Sequence, residues 1–431
     1  MKFTAAGDMI IQRRIFAGYQ GFDELAPFIK QGDARFFNLE TTLNHEGEAC
    51  ASQFSGGTYL RTDPEVLKDI KPFGFNMTSF NNNHALDFFY DGLECTLEAL
   101  ENTDLVHAGV GRNLAQASAP KYLETGSGRV ALIAVNTSFE PSAMAGDQSP
   151  RVAGRPGING LRIESRIELP QADIDYIKQI ARETNINAEK EITRAEGYHP
   201  ALADNEAELG ELKFVSGSQR RFLSKVNPAD MARVEKAIYE AKLQADYIIV
   251  SIHSHQISGD AKECPADFLK QFAHDCIDAG ANAIVGHGPH LLRPIEVYKD
   301  SPVFYSLGNF VQQLYNVELA PEDFFAKNGL TSASTVHELL KKRSKDFTVG
   351  LMTDKRMFRA VIPYWETEGT KLTKLTLLPI ELVMEGNKSE IGLPRRSSDP
   401  EIADYLAAMC APYGTKITVQ DDGTLLCTWD N

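Results

Sequence analysis

Tyr247-Ile248-Ile249-Val250-Ser251-Ile252 is an apolar, β-branched run that passes directly into His253-Ser254-His255. Ala283-Ile284-Val285 follows the same plan and passes into Gly286-His287-Gly288-Pro289-His290. Runs this short and this apolar read as strands covered on both faces, as in the centre of a parallel sheet. The amphipathic stretch 266–279 between them supplies the crossover helix that parallel neighbours require. Histidines just past such strands stand at the carboxyl edge, where open α/β sheets collect their ligands.

Working outward, the N-terminal third repeats the pattern with other side chains. The strand beginning at Lys2 stops at Gly7-Asp8, Ala34–Leu39 ends on Glu40, and Phe75–Phe80 ends in Asn81-Asn82-Asn83-His84. Pro64 to Lys71 reads as a helix with proline in its first turn, and Arg129–Val135 as another buried strand after the Gly126-Ser127-Gly128 turn. Strands alternating with helices, each strand ending on a polar residue, predict a layered α/β sheet. Residues 140–170 turn rich in Gly, Pro, Ser and Arg, and 171–240 is polar and mostly helical in pattern. The expected organisation is therefore a domain over 1–312 with a helical insertion or cap at about 140–227. A charged cap segment (315–357) and a β-rich C-terminal extension within 313–431 follow. In the extension, 372–378, 416–419 and 425–428 read as strands around a helix at 400–410. Residues 295–311 predict a hairpin turning at Lys299-Asp300.

The 431 residues are 43% hydrophobic and 24% charged, ample for a large core. Lys plus Arg number 44 against 59 Asp plus Glu, a formal charge of −15. A body that acidic repels phosphate backbones, which excludes nucleic acid as the main partner but not a small anion held by a local cation. The six cysteines form no C-x-x-C pair, and reduced thiols are expected. The N-terminus has no apolar signal core, and no apolar run reaches the roughly 18 residues of a membrane span. A cytoplasmic protein without an integral membrane segment is expected.

Asp8, Glu40, Asn83, His253, His287 and His290 form a mixed nitrogen and oxygen donor set. Such a set suits one or two borderline divalent ions, Mn²⁺, Fe²⁺ or Zn²⁺, better than the all-oxygen coordination of Ca²⁺. Any one of these histidines alone is most often a hydrogen-bonded structural residue; it is their shared position at strand ends that argues for a metal. Asp87, three residues after His84, reads either as a carboxylate orienting an imidazole or as a helix N-cap. Arg155, between Gly154 and Pro156, is a candidate grip for an acidic substrate, against the alternative of a solvated loop. His255 and Asn309 are further candidates for contact with substrate, each also readable as structural, as are His45 and His199.

Gly7-Asp8, Asn38-Leu39-Glu40, Asn82-Asn83-His84 with Asp87 and Gly92, Gly286-His287-Gly288-Pro289-His290 and Tyr305-Ser306-Leu307-Gly308-Asn309-Phe310 follow one another in the order seen in the CapA family. That family is named for capsule and poly-γ-glutamate synthesis, and its fold is similar to the calcineurin-like metallophosphoesterases. The resemblance runs from Phe3 to Val311. It implies a metallophosphoesterase-like α/β sandwich and a two-ion site bridged by Glu40. Asp8 and His290 would favour one ion, Asn83, His253 and His287 the other, and His84 would be the acid/base. Three departures bear on the site: Asp-x-His is here Asp8-Met9-Ile10, the last His-x-His is lengthened to His287-Gly288-Pro289-His290, and Ser254-His255 follows His253 where family members often have Trp-Gly.

The reading that follows is a metal-dependent hydrolase acting on an acidic or peptide-like substrate, at a phosphoester or an amide (γ-glutamyl) bond. Hydroxide generated on the metal would be the nucleophile and His84 the proton donor. Two alternatives share the residues: an epimerase acting at a peptide α-carbon, and a non-catalytic polymer-binding factor in capsule or poly-γ-glutamate assembly.

Overall fold

A computed structural model describes residues 1–55 and 57–430. The chain forms two compact units: one of Met1–Leu161, Ala229–Pro265 and the residues from Leu269 onward, the other of Arg162–Pro228 with Ala266–Phe268.

The larger unit is built on two mixed sheets. The ten-stranded sheet runs Thr415–Val419, Leu425–Trp429, Lys371–Leu382, Arg359–Glu368, Lys2–Ile10, Ala34–Leu39, Met77–Ser79, Val106–Ala108, with Asn309–Gln312 beside the first strand and Pro394–Arg396 beside Lys371–Leu382. The six-stranded sheet runs Ile295–Tyr298, Ser301–Phe304, Ala283–His287, Tyr247–His253, Gly128–Asn136, Lys121–Thr125. In both, the strands that end in polar residues are parallel neighbours, so their carboxyl ends fall on common edges. The expected layered α/β sandwich is what the chain adopts.

Strand alternation explains the packing. Phe3, Ala5, Ala34 and Phe36 of the larger sheet share one buried cluster with Val130, Leu132, Ala134, Tyr247, Ile249, Ala283 and Val285 of the smaller. Phe3 stacks on Tyr247 (centroids 4.1 Å apart) and on Trp365 (5.1 Å), and Trp365 Nε1 donates to the Tyr247 hydroxyl at 3.0 Å. The opposite face, with Ala6, Phe37 and Leu39, buries Leu25, Ile29, Leu93 and Leu97 of the covering helices.

Lys299 and Asp300 join Ile295–Tyr298 to Ser301–Phe304 with φ of 48° and 61°, the paired positive angles of a type I′ hairpin turn. The C-terminal strands, expected as an extension, enter the larger sheet itself: Arg359–Glu368 pairs antiparallel with the first strand through Trp365 and Phe3. The second unit corrects the helical reading of the insertion. It has helices at Gln171–Thr184 and Ala188–Ala195, but also a four-stranded sheet of Glu206–Leu209, Leu212–Ser216, Ile163–Leu169 and Arg221–Val226. Its buried apolar cluster is small, Ile174, Ala207 and Phe214, which is why these strands look like polar surface in the sequence.

No helix among the described residues is long and apolar enough to cross a membrane. All six cysteines are unpaired, with Cys276, Cys410 and Cys427 buried.

Candidate metal centre

Asp8 is set by a crossing of two backbones. A Cβ on Gly7 would run into the carbonyl oxygen of Gly308, so only glycine lets the first strand pass here. The same Gly308 carbonyl accepts from Asp8 N at 3.1 Å, and the register with Ala34–Leu39 shifts between Ala5 and Asp8. This irregularity re-aims the carboxylate, as bulges beside functional sites do. Asn38 Nδ2 donates to one Asp8 oxygen at 2.8 Å and Gly288 N to the other at 2.9 Å.

Around Asp8 and Glu40 stand five imidazoles. His287 Nδ1 and His253 Nδ1 lie 3.6 and 4.0 Å from Asp8 Oδ1, and His290 Nδ1 lies 3.5 Å from Asp8 Oδ2. His253 Nε2 and His290 Nε2 are each 3.8 Å from Glu40 Oε1, and His84 Nε2 is 3.9 Å away. His253 and His287 are register partners on adjacent strands. Their Nδ1 atoms approach to 2.9 Å, while His255 Nε2 comes within 3.0 Å of His253 Nε2. The ligand atoms fall into three overlapping groups: Asp8 with His253 and His287, Glu40 with His253 and His255, and Asp8 with Glu40 and His290.

Several neighbours hold these rings. Ser251 Oγ meets His287 Nε2 at 2.7 Å, which turns Nδ1 inward. Asn309 Oδ1 meets His290 Nδ1 at 3.0 Å, and Asn309 Nδ2 donates to the carbonyls of His290 and Met357. His290 itself has φ of 62° and Gly288 φ of 119°; these two left-handed residues absorb the extra position in His287-Gly288-Pro289-His290. Arg293, fully buried, gives its guanidinium to the carbonyls of Ser254, His255, Gln256 and Lys262, which ties down the loop that carries His255.

The electrostatics fit a divalent cation. Burial raises the Glu40 carboxyl well above its ordinary range, and the neighbouring Asp8 charge raises it further. Both Glu40 oxygens are buried without a hydrogen-bond partner. Burial alone would also raise Asp8, but contact with His290 and the charges of His290, His253 and His287 hold it far below the usual carboxylate range. Burial lowers the imidazoles: His287 to about 4, His255 to about 3 with help from His290, and His253 well below its ordinary value with help from His255 and His287. Neutral imidazoles beside a buried carboxylate that lacks donors are lone pairs directed at one place, the form in which these groups ligate metal. The residues present therefore fit the implied cation.

His84 and Asp87 form a second element. His84 Nδ1 donates to Asp87 Oδ2 at 2.7 Å, and Leu60 N donates to the same oxygen at 2.8 Å. The helix that follows starts at Phe89 with Phe88 as its cap and no side-chain capping bond, so of the two readings of Asp87 the geometry matches the orienting one. A cavity of about 250 Å³ is lined by Asn83, His84, His255 and His290 together with Lys262, Arg293 and Arg343. A neighbouring cavity of about 300 Å³ shares Asn83 and His255 with it and is walled by Phe54, Phe89, Tyr90 and Phe139.

Of the residues singled out in the sequence, Asp8, Glu40, His84, Asp87, His253, His255, His287 and His290 converge, and Asn83 lines both cavities. Asn309 stands behind His290. Arg155 lies elsewhere: its guanidinium donates to the Met144 carbonyl and lines neither cavity. His45 is exposed and pairs with Asp63, and His199 belongs to the second unit. Ser251, Arg293 and Arg343 were not anticipated. An arginine inside Leu291-Leu292-Arg293-Pro294-Ile295 is the one sequence signal for a buried charge; Arg343, within Lys341-Lys342-Arg343, has none.

Fold and cluster together define an α/β sandwich that gathers groups able to hold a divalent cation at the carboxyl ends of its strands. The chain belongs to the bacterial capsule synthesis protein PGA_cap family, whose model matches residues 2–314. It is similar to protein y4sH of Sinorhizobium fredii, 32% identical over 97% of this chain and 91% of that one. It is also similar to the capsule biosynthesis protein CapA of Bacillus anthracis, 24% identical over 72% of this chain and 59% of that one. Among solved structures, a putative 5′-nucleotidase from Staphylococcus aureus aligns at 12% identity over 90% of this chain and 55% of that one, with a TM-score of 0.38.

Proposed function

We propose that this protein is a metal-dependent hydrolase of the PGA_cap family that cleaves a phosphoester or an amide (γ-glutamyl) bond in an acidic or peptide-like substrate. The observation that carries the reading is the buried pair Asp8 and Glu40 facing His253, His255, His287 and His290, with His84 beside them. Asp8, Glu40 and these four histidines would hold one or two divalent ions, with Asn83 beside them; His255 adds a donor near Glu40 and His253. A cation bound there lowers the pKa of a coordinated water toward neutrality and offsets the charge of an anionic transition state.

The chain's own groups do the rest. Asp87 accepts the Nδ1 proton of His84, which fixes the ring and leaves Nε2 as the atom that exchanges protons with substrate. Hydrolysis adds water across the bond, and the departing oxygen or nitrogen takes its proton from His84 Nε2, a role typically worth about 10²–10⁴ in rate. The names of relatives associated with capsule and PGA biosynthesis support an acidic polymer or its fragments as substrate.

The test is to prepare E40A and H287A and measure bound metal and turnover on p-nitrophenyl phosphate and γ-glutamyl-p-nitroanilide. Loss of metal together with loss of turnover is expected. Wild-type values for both in either variant would remove the basis of the proposal.

A further inference from the structure

The cavity of about 250 Å³ that opens on His84, His255 and His290 also receives three cations, Lys262, Arg293 and Arg343. In a chain with 59 acidic against 44 basic residues, three cations gathered at one cavity stand out. Arg293 spends its donors on four carbonyls. Burial takes its pKa down to about 10. Among the described residues, neither Arg343 nor Lys262 is hydrogen-bonded to a carboxylate.

Arg343 is also built into place. It ends the helix Val336–Arg343, which is fixed at its start by a Thr335–Glu338 capping box. One guanidinium nitrogen donates to the Thr58 hydroxyl. The group lies over the Phe324 ring at 5.5 Å, a cation–π contact that fixes its plane. Phe324 and Leu339 are buried against Tyr59 and Phe88, so the helix is anchored beside the cavity. At Gly57, a Cβ would come no closer than 3.8 Å to Arg343 Nη2, and nothing else would approach it. Among the described residues, Arg343 Nη2 makes no hydrogen bond. A planar fork held on one nitrogen and one face, with its other edge free, matches a carboxylate or a phosphate.

We propose that this cavity is an anion subsite in which Arg343, supported by Lys262, receives a second carboxylate or phosphate of the substrate and sets specificity for it. The inference rests on reading the Asp8–Glu40–histidine cluster as the reaction centre, and it assigns to residues beyond the family-matched 2–314 a part in substrate choice. Because Arg343 is tethered to Thr58, the subsite exists before the substrate arrives and does not need the cation.

The test uses the full chain stripped of metal by chelation, so that no cation can bind the probe. Inorganic phosphate and glutarate are titrated calorimetrically into wild type, R343A, R343K, T58V and K416A, the last a remote surface control. Wild type is expected to bind at least one probe, and the preferred probe tells a phosphate-bearing from a carboxylate-bearing substrate. R343A is expected to weaken that binding by about tenfold or more, the loss of one charge-assisted contact. R343K, which keeps the charge but not the fork, and T58V, which frees the guanidinium, are expected to weaken it by about threefold or more. K416A should match wild type. No binding by wild type, or equal affinity in wild type and a folded R343A, overturns the proposal. Since metal content is measured on each preparation before the chelation step, that outcome is distinct from failure of the metal site.

Discussion

The sharpest consequence of the site is a reversal of stability order in Glu40→Gln. In the absence of metal, Glu40 is a fully buried carboxyl whose oxygens meet no hydrogen-bond donor and which faces Asp8. Gln keeps the volume, removes the charge and offers an amide donor to Asp8. The relief corresponds to one unsatisfied buried polar group, about 1–3 kcal/mol. For a chain of 431 residues this amounts to a rise in Tm of about 1–3 °C, from an unfolding entropy of roughly 2 cal/mol/K per residue. The pH dependence follows from the raised pKa. Between the ordinary glutamate range and the raised folded-state value, the folded protein binds a proton that the unfolded chain has released. Stability therefore falls as pH rises through that window. The advantage of E40Q should be present at pH 8 and shrink toward zero as pH falls to about 4.5, the ordinary glutamate range. Metal inverts the order. A cation at 100 times its Kd stabilises wild type by about 2.7 kcal/mol, and E40Q, with a weaker ligand, gains less. Thermal unfolding followed by tryptophan fluorescence, with chelator and then with Mn²⁺ or Zn²⁺, reads both halves. An E40Q protein less stable than wild type in chelator, or one that gains as much from metal, would refute the reasoning.

Three further perturbations separate the parts of the site. Asp87→Asn keeps an acceptor oxygen for Leu60 N but weakens the charge-assisted hydrogen bond that orients the His84 ring; kcat should fall about 10- to 100-fold, at the lower end of general-acid contributions, with metal content unchanged by elemental analysis. His255→Ala removes the imidazole 3.0 Å from His253 Nε2 and should weaken metal binding by about tenfold or more, whereas exposed His45→Ala should leave it at the wild-type value in the same titration. Gly7→Ala forces the first strand away from Gly308; it should cost about 1–3 kcal/mol in denaturant unfolding and lower metal affinity because Asp8 moves with the strand.

Much of the architecture was legible because the apolar runs are short and end cleanly. Ala34–Leu39 and Tyr247–His253 could be bounded nearly to the residue, and Pro400–Cys410 as a helix likewise. Arg359–Glu368 escaped notice because Pro363 sits inside it, and proline argues against a central strand. The structure accommodates it because pairing with the first strand covers only Lys2 to Thr4 against Glu366 to Tyr364, so Pro363 lies beyond that ladder. The sheet of the second unit was hidden for a different reason: in Ile163–Leu169 most alternate positions carry partly exposed charge rather than core. At the site, strand-end position revealed the ligands themselves. What supports them was not legible, because Arg293 and Arg343 act through contacts with segments distant in sequence, and nothing in their local pattern records those contacts.

The central claim is most directly tested by anomalous diffraction from crystals of the protein grown with Mn²⁺ or Zn²⁺. The account predicts a peak in contact with Asp8 and Glu40 and with two or more of His253, His255, His287 and His290. A protein that takes up either ion only elsewhere, or leaves this cluster without a peak at saturating metal, would contradict it.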